Sequence, residues 1–396
     1  MIVKIERLAH NFKGIGKVDG KIILVNNALP GEIVDVKVVK EKKKYAEAEI
    51  ISFLKKSTRR ISPKCPYASK CGGCDISYID YIMSLQYKKD MVVDIIKRYA
   101  DIDVNPSIIS DGNVYKYRNK ITLQVLNGKL ALIEEKSHRL INIDYCLLAN
   151  NNINNVIIEI NNMDLSGVQN VIIKGNEELM VIINGCIDEK KLVAILSNHV
   201  SSVIVNNKVI YGKEYITIKV NTYKYALFPF SFFQINTNMI KSLYDRILKY
   251  AGKGQFLLDL YCGAGTIGIY LASNFELVKG IELNQDAIRS ANLNKKINNI
   301  DNIVFECKSV NDINKITEDV VIVDPPRNGL DPSITDKLLK SLAKKIIYVS
   351  CKPITLARDL NVLKEKYILQ DIILFDMFPN TKHVECVCVL ESSKPL

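Results

Sequence analysis

Cys351 has the surroundings of a reactive thiol. An apolar run over residues 345–349 leads to Ser350-Cys351-Lys352-Pro353, and a helical pattern follows from Thr355. A thiol at a strand end near a helix N-terminus is expected to have a lowered pKa and to ionise readily. The alternative is an inert cysteine in a buried core. The position beside a proline at the end of a strand favours a nucleophile.

Acidic residues follow several other apolar runs. Glu282 ends the run 277–281, and Asp324 follows the run 321–323 and precedes two prolines and Arg327. Open α/β sheets bind ligands at the carboxyl ends of their strands, so both carboxylates are candidate ligand contacts. Glu385 opens the last apolar run, two residues after His383. Taken alone, Glu385 could be a surface carboxylate and His383 a structural hydrogen-bonding residue.

A nucleotide-binding pattern lies upstream of these residues. The apolar run 256–260 enters a turn with Gly263 and Gly265, and a helical pattern follows. Glycines let the backbone approach a ligand, and Glu282, 17 residues after Gly265, stands where a ribose-binding acid is expected. A nicotinamide cofactor fits this much of the pattern equally well. The strand that ends in Asp324 and two prolines favours a different reaction, on a planar substrate.

Three cysteines are packed into one short segment, with the spacing Cys65-x5-Cys71-x2-Cys74. Such clustering in a chain without a recognisable export signal indicates a metal site rather than disulfides. A closed tetrahedral zinc site or a four-iron cluster needs a fourth thiolate. The spacing alone fits zinc as well as iron and sulfur.

Composition limits the possible functions. The 396 residues carry a formal net charge of +11, which favours a polyanionic partner such as RNA, although a lysine-rich proteome would give the same balance. No apolar run approaches the roughly 20 residues of a membrane span. We therefore expect a cytoplasmic protein without membrane contact.

The hydrophobic patterns predict three segments of different architecture. Residues 1–56 read as short strands separated by glycine turns, which fits a five-stranded OB-like barrel. Nine Lys or Arg and three acidic residues lie between residues 36 and 60. This basic excess indicates either a surface that faces RNA or a solvated strand edge that lysines protect from pairing. A helix is predicted from Tyr78 to about Tyr99, and residues 115–225 are strand-rich. From Phe228 onward, alternating strands and helices predict a parallel sheet.

Together these motifs resemble the RNA uracil-C5 methyltransferase family. The resemblance rests on Asp324-Pro325-Pro326-Arg327, Ser350-Cys351-Lys352-Pro353, His383-Val384-Glu385 and residues 232–236 (FFQIN). It implies a multidomain α/β fold: a TRAM barrel (1–56), a central antiparallel α+β domain with an iron–sulfur cluster (57–228), and a C-terminal Rossmann-like class I methyltransferase domain (229–396). It covers nearly the whole chain.

The resemblance also implies roles for individual residues. Cys351 would add to carbon 6 of uracil, which makes carbon 5 nucleophilic, and Glu385 would remove the carbon-5 proton after methylation. Asp324 would hydrogen-bond to the ring or to S-adenosylmethionine. The implied cofactor contacts are a set of five side chains: Gln234, Tyr261, Thr266, Glu282 and Asp324. Thr266 and Lys352 each stand where relatives commonly have Asn.

For the cysteines, the resemblance implies a [4Fe–4S] cluster with Cys146 as the fourth ligand beside Cys65, Cys71 and Cys74. The implied substrate is RNA, with 23S ribosomal RNA favoured by the TRAM-like segment and the cluster, and the chain is expected to be a monomer. Alternatives are methylation of tRNA uridine 54, a cytosine-C5 methyltransferase, and a non-catalytic iron–sulfur RNA-binding protein.

In the central segment, Tyr115–Lys120 interleaves aromatic and basic residues, which suits either RNA contact or an exposed hairpin edge.

Overall fold

The computed structural model describes residues 1–135 and 137–393 and contains three larger sheets and one hairpin. The first sheet is a barrel in which β1 lies against β3 and only the pair β4–β6 is parallel. It has six strands rather than the five predicted, because two very short strands flank the first turn. The barrel strands are β1 (Ile2–Lys4), β2 (Arg7–Leu8), β3 (Gly14–Val18), β4 (Lys21–Val25), β5 (Ile33–Glu41) and β6 (Tyr45–Lys55).

A buried ion pair joins the barrel to the cysteine segment. The guanidinium of Arg60 donates to both carboxylate oxygens of Glu32, at 2.6 and 2.9 Å, and lies over the rings of Phe53 and Tyr78. Glu32 is fully buried, and the pairing with Arg60 and two backbone N–H groups lowers its pKa although burial opposes this. Arg60, one of the predicted RNA-facing residues, is therefore used inside the protein.

The central sheet has seven strands in the order β10-β9-β8-β11-β12-β13-β14, with only β12–β13 parallel. Two helices pack against it, and a separate hairpin follows it. The elements are β8 (Lys120–Leu126), β9 (Lys129–Ile133), β10 (Leu140–Asn142), α2 (Asn151–Asn161), β11 (Val168–Gly175), β12 (Leu179–Gly185), α3 (Glu189–Leu196), β13 (Ser202–Val205), β14 (Lys208–Gly212), β15 (Ile216–Val220) and β16 (Tyr223–Leu227).

The third sheet has eight strands in the order β19-β18-β17-β20-β21-β23-β22-β7, and β19 through β21 are parallel, as predicted. Strand β23 is antiparallel to both of its neighbours. The elements are α4 (Thr237–Ala251), β17 (Gly254–Leu260), α5 (Thr266–Leu271), β18 (Phe275–Glu282), α6 (Gln285–Ile297), β19 (Ile303–Cys307), β20 (Val320–Val323), α7 (Pro332–Lys340), β21 (Lys345–Ser350), α8 (Pro353–Leu363), β22 (Tyr367–Phe375) and β23 (Glu385–Ser392).

Two elements from the first third of the chain complete this sheet. Helix α1 (Tyr81–Ala100) packs against α8, and strand β7 (Ser107–Ile109) pairs in parallel with β22 at the sheet edge. The segment 57–228 was predicted to be one central domain, yet residues 81–109 lie with the C-terminal sheet. The boundaries at 56 and 228 stay a prediction, and residues 394–396 lie outside the described part. No helix within the described residues is long and apolar enough to cross a membrane.

A fully buried ion pair fixes α1 to the C-terminal sheet. The ammonium of Lys88 lies 2.6 Å from a carboxylate oxygen of Asp376, and neither side chain is exposed. The hydroxyl of Tyr81 donates to the other carboxylate oxygen of Asp376 at 2.8 Å. Burial lowers the pKa of Lys88, and the Asp376 carboxylate opposes this shift.

Asp376→Ala should lower the free energy of unfolding by about 3–5 kcal/mol, because it leaves the Lys88 ammonium buried and unpaired. Urea denaturation followed by fluorescence and circular dichroism measures the change. The exposed pair Lys340–Asp336 supplies the control, since Asp336→Ala should cost less than about 1 kcal/mol. Equal effects of the two substitutions would contradict the prediction.

Candidate active site

The carboxyl ends of the parallel strands surround one cavity of about 800 Å³. Tyr261 follows β17, Glu282 ends β18, Asp324 follows β20 and Cys351 follows β21. Six of the seven predicted catalytic and cofactor-binding residues line this cavity: Gln234, Tyr261, Glu282, Asp324, Cys351 and Glu385. The side chains that the sequence places at strand ends therefore meet in one site.

The antiparallel strand β23 explains why Cys351 and Glu385 meet. In the β21–β23 ladder, Ser350 is opposite Cys386. Cys351 follows Ser350 just beyond β21, and Glu385 precedes Cys386 at the start of β23, so the antiparallel register brings Cys351 beside Glu385. Glu385 is 2% exposed and Cys351 is half-buried. The register thus places a thiol and a buried carboxyl group on the same wall of the cavity.

Thr266 is the one predicted contact that does not line this cavity. Its hydroxyl accepts a hydrogen bond of 2.7 Å from Tyr244, and it faces a small adjoining cavity of about 40 Å³. That small cavity also borders Gln234, Tyr261 and Asp324. Thr266 lies behind the wall of the main cavity, and its hydroxyl already has a partner.

Backbone groups hold the Glu282 side chain at the cavity wall. The Glu282 carboxylate accepts hydrogen bonds from the backbone N–H groups of Gly263 at 3.3 Å and Asn284 at 2.8 Å, which fix its orientation. Gly263 has a φ of 54°, and a Cβ placed there would point into open space. Gly265, with a φ of 73°, leaves no room for a side chain, because a Cβ would lie 2.4 Å from Phe305.

Buried carboxyl groups give the cavity unusual electrostatics. Burial raises the pKa of Asp324 to about 7. Burial also raises the pKa of Asp259, which lines the small cavity, to about 8, although the N–H of Gly268 donates a hydrogen bond to the Asp259 carboxyl group. Burial and the nearby Asp324 raise the pKa of Glu385 well above its usual range, and Arg327 opposes this shift. A carboxyl group with a raised pKa is suited to moving a proton near neutral pH.

The Cys351 thiol has a raised pKa, contrary to the expectation from its place before α8. Burial is the largest cause, and the Glu385 carboxylate adds to it. Arg327 acts in the opposite direction, through its charge and a hydrogen bond to the thiol. The guanidinium, rather than the helix N-terminus, is the group that favours the thiolate here.

Family models and related proteins match the chain over most of its length. The model for tRNA (uracil-5-)-methyltransferase matches residues 189–320 and 305–393, and the model for the TRAM domain matches residues 1–51. An uncharacterized RNA methyltransferase of Halalkalibacterium halodurans is 33% identical, over 98% of this chain and 96% of its own. The chain belongs to the tRNA (uracil-5-)-methyltransferase family. It is thus an RNA methyltransferase, as the sequence predicts, and membership supports S-adenosylmethionine as its methyl donor.

Another relative of this methyltransferase, an uncharacterized RNA methyltransferase of Clostridium acetobutylicum, is 32% identical, over 96% of this chain and 94% of its own. Among solved structures, the Pyrococcus abyssi tRNA (uracil-54, C5)-methyltransferase in complex with S-adenosyl-L-homocysteine is 28% identical. It superimposes with a TM-score of 0.80 over 98% of this chain and 100% of that chain. The TRAM barrel and the class I methyltransferase fold are therefore both confirmed.

The four cysteines that were predicted to bind an iron–sulfur cluster line a second cavity of the methyltransferase, of about 610 Å³. Burial raises the pKa values of the Cys65, Cys71 and Cys74 thiols, and the neighbouring thiols add to the shift. Within residues 1–135 and 137–393, no group of three or more His, Cys, Asp or Glu side chains is placed to hold a metal ion. The cysteines thus share a cavity without forming a single-ion site.

Two buried residues, Asn119 just before β8 and Lys174 in β11, hold the chain around Gln234. The side-chain amide of Asn119 donates to the carbonyl of Gln234 at 2.9 Å and to the hydroxyl of Thr237 at 2.8 Å. The ammonium of Lys174 donates to three carbonyls in residues 228–231, at 2.9 to 3.3 Å. Burial lowers the pKa of Lys174 to about 7. The sequence gives no signal for either residue, because a single Lys or Asn in a strand-rich segment is usually exposed.

These contacts also change the interpretation of Tyr115–Lys120. Tyr117 and Asn119 are each 3% exposed, and the hydroxyl of Tyr117 donates to the carbonyl of Pro379 at 3.0 Å. Lys116 is exposed, with a φ of 59°. Alternate side chains of this segment are therefore used for packing inside the protein, and only part of it is available to RNA.

Replacing Arg327 with Gln should move the pH dependence of methylation to higher pH. The guanidinium lowers the pKa values of Cys351 and Glu385, and both groups must lose a proton in the proposed reaction. Without the positive charge both pKa values rise. Single-turnover rates measured from pH 6 to 10 should therefore reach their plateau at a higher pH than those of the unsubstituted enzyme. Arg246→Gln, which does not line the cavity, should leave the profile unchanged. A shift of the Arg327→Gln profile toward lower pH would contradict this explanation.

Proposed function

We propose that this methyltransferase methylates carbon 5 of a uridine in RNA through a covalent bond between Cys351 and carbon 6. The observation that carries the proposal is that Cys351, Glu385 and Asp324 interact with one another in a cavity that Glu282 also lines. The cavity is large enough for a flipped base beside a nucleoside cofactor. Methylation at an amino group would need no thiol at this position.

The Cys351 thiolate forms a bond to carbon 6, and the electron pair of the carbon 5–carbon 6 double bond moves toward carbon 5 and the carbonyl oxygen at carbon 4. When bound, S-adenosylmethionine supplies the methyl group that carbon 5 accepts, and breaking of its sulfur–methyl bond leaves S-adenosylhomocysteine. The Glu385 carboxylate then removes the proton on carbon 5, the double bond reforms, and the Cys351 thiolate leaves.

The chain's other residues are proposed to bind and orient. Asp324, with a pKa of about 7, can be protonated and donate a hydrogen bond to a ring oxygen, or accept one from a ring N–H. Glu282 is the proposed acceptor for ribose hydroxyls, and Gln234 and Tyr261 the further cofactor contacts. Thr266 is proposed to act indirectly, since its hydroxyl is held by Tyr244.

For the RNA target, we propose 23S ribosomal RNA, supported by the TRAM barrel together with the four cysteines. A second candidate is uridine 54 of transfer RNA, favoured by the likeness to the Pyrococcus abyssi enzyme over the whole chain. The test is incubation of the purified enzyme with labelled S-adenosylmethionine and with separate transcripts of both RNAs. Mass spectrometry of digested RNA then identifies 5-methyluridine and its position. Product in neither RNA, or 5-methylcytidine instead, would refute the proposal.

We also propose that Cys65, Cys71, Cys74 and Cys146 bind a [4Fe–4S] cluster, which would stabilise the fold around them. The donor set fits, because four thiolates facing one cavity match the ligands of such a cluster. Burial raises the pKa values of Cys71 and Cys74, and the guanidinium of Arg118, which lines the same cavity, acts in the opposite direction. The enzyme is proposed to act as a monomer.

Protein purified without oxygen should contain about four iron and four inorganic sulfide per chain and absorb near 400 nm. Cys146→Ser should lower the iron content, whereas Cys186→Ser, at an exposed thiol outside the cavity, should not. Stoichiometric zinc without iron would refute the cluster.

A further inference from the structure

The loop between β22 and β23, residues 376–384, forms one side of the active site. Phe378 and His383 of this loop line the cavity, and the loop leads directly into Glu385. Asn380 within it has a φ of 65°, a left-handed conformation that asparagine adopts more readily than most residues. Glu385 pairs with Phe375 at the last position of the β22–β23 ladder, so the loop closes directly on Glu385.

Lys88 holds the start of the 376–384 loop through Asp376 and the carbonyl of Phe378, and Asp75, the residue after Cys74, holds its later part. One Asp75 carboxylate oxygen accepts a hydrogen bond of 2.9 Å from the backbone N–H of Lys382. The other lies 2.8 Å from the ammonium of the same lysine. Asp75 thus fixes both the backbone and the side chain of a residue three positions before Glu385. Its side chain is only 20% exposed, so solvent weakens the contact less than at an open surface.

Neighbours of Asp75 hold the rest of the loop. The N–H of Ile76 donates to the carbonyl of Asn380 at 3.2 Å, and the Asn380 side-chain amide donates to the carbonyl of Val114 at 2.7 Å. Asn380 also lines the cavity that holds the four cysteines. The segment around the cysteines and the loop before Glu385 therefore share one hydrogen-bonded boundary.

We propose that Asp75 is a positioning residue that, through Lys382, holds the 376–384 loop and so aligns Glu385 for proton removal. The inference rests on the proposed role of Glu385. Asp75 touches neither substrate nor cofactor, and the Glu282 end of the cavity is built from other elements. Loss of Asp75 is expected to slow the step that needs Glu385 and to leave cofactor binding intact. A disturbance of the cysteine segment reaches the active site by the same route.

The test compares Asp75→Ala with Asp75→Asn and with Asp94→Ala, which removes an exposed ion pair on α1. Asp75→Ala should lower kcat at least tenfold and keep the dissociation constant for S-adenosylhomocysteine within twofold. Hydrogen exchange measured by mass spectrometry should rise at residues 378–384. Asp75→Asn keeps an oxygen for the Lys382 N–H and should recover much of both losses. Asp94→Ala should match the unsubstituted enzyme throughout.

Two outcomes would overturn the proposal: unchanged exchange at residues 378–384 in Asp75→Ala, or faster exchange there with an unchanged kcat. Weakened S-adenosylhomocysteine binding in a folded Asp75→Ala variant would also count against it, because a general structural defect would then explain the loss. Failure of the proposed function would be recognised by a different result, namely a Cys351→Ala enzyme that still methylates RNA. The Lys382→Met variant, which removes only the ion pair, gives a second check and should resemble Asp75→Asn.

Discussion

Cys351→Ala is expected to abolish both methylation and the covalent complex with RNA. Without the thiol nothing adds to carbon 6, and carbon 5 of uracil remains too weak a nucleophile to accept a methyl group. We expect the rate to fall by a factor on the order of 10⁴ or more, because the nucleophile and base act as a unit. Methyl transfer from labelled S-adenosylmethionine measures the loss, and denaturing gels with labelled RNA show the missing complex.

The control for this substitution is Cys186→Ala, which removes an exposed thiol far from the cavity and should change neither measurement. Binding of S-adenosylhomocysteine should persist in Cys351→Ala, since Cys351 is not one of the proposed cofactor contacts. A fully active Cys351→Ala enzyme would rule out the covalent mechanism.

Glu385→Gln should have the opposite effect on the covalent complex, which is expected to accumulate. Glutamine has nearly the shape of glutamate but cannot take the carbon-5 proton, so the methylated adduct cannot release Cys351. Turnover should fall by roughly 10²–10⁴-fold, the usual contribution of a general base. A band of RNA-linked protein that resists denaturing gels should become the main product of a single turnover.

The double variant Cys351→Ala/Glu385→Gln is the matched control and should give no such band. A Glu385→Gln enzyme that turns over normally would show that another group removes the proton. A slow Glu385→Gln enzyme without any adduct would instead place the role of Glu385 before carbon-sulfur bond formation, which contradicts the proposed order.

Much of the site could be predicted because local sequence marks the ends of strands. An apolar run that stops at a polar residue locates Glu282, Asp324 and Cys351 without knowledge of the sheet order. The carboxyl ends of parallel strands share one edge, so such residues must lie near each other. The position of Glu385 could not be predicted from local sequence, because only the antiparallel register of β21 and β23 brings it beside Cys351. The family resemblance supplied what the local pattern could not.

The parts that could not be predicted depend on contacts between distant residues. Asp75 and Lys382 are 307 positions apart, and Asn119 and Gln234 are 115 apart. The sequence around each of these residues contains no pattern that predicts its distant partner. The direction of the Cys351 pKa shift was also missed, because burial depends on the whole cavity whereas a helix N-terminus can be seen locally.

Strand β7 has a consequence for how the chain folds. It pairs with β22, and Ser107 lies opposite Ile373, so the outer edge of the C-terminal sheet closes only after almost the whole polypeptide has been synthesised. Pairings of such high contact order form slowly and leave an exposed strand edge in the meantime. A fragment limited to residues 229–396 would lack both β7 and the helix that covers α8. Such a fragment is expected to aggregate, and co-expressed residues 57–115 should increase its yield of soluble protein.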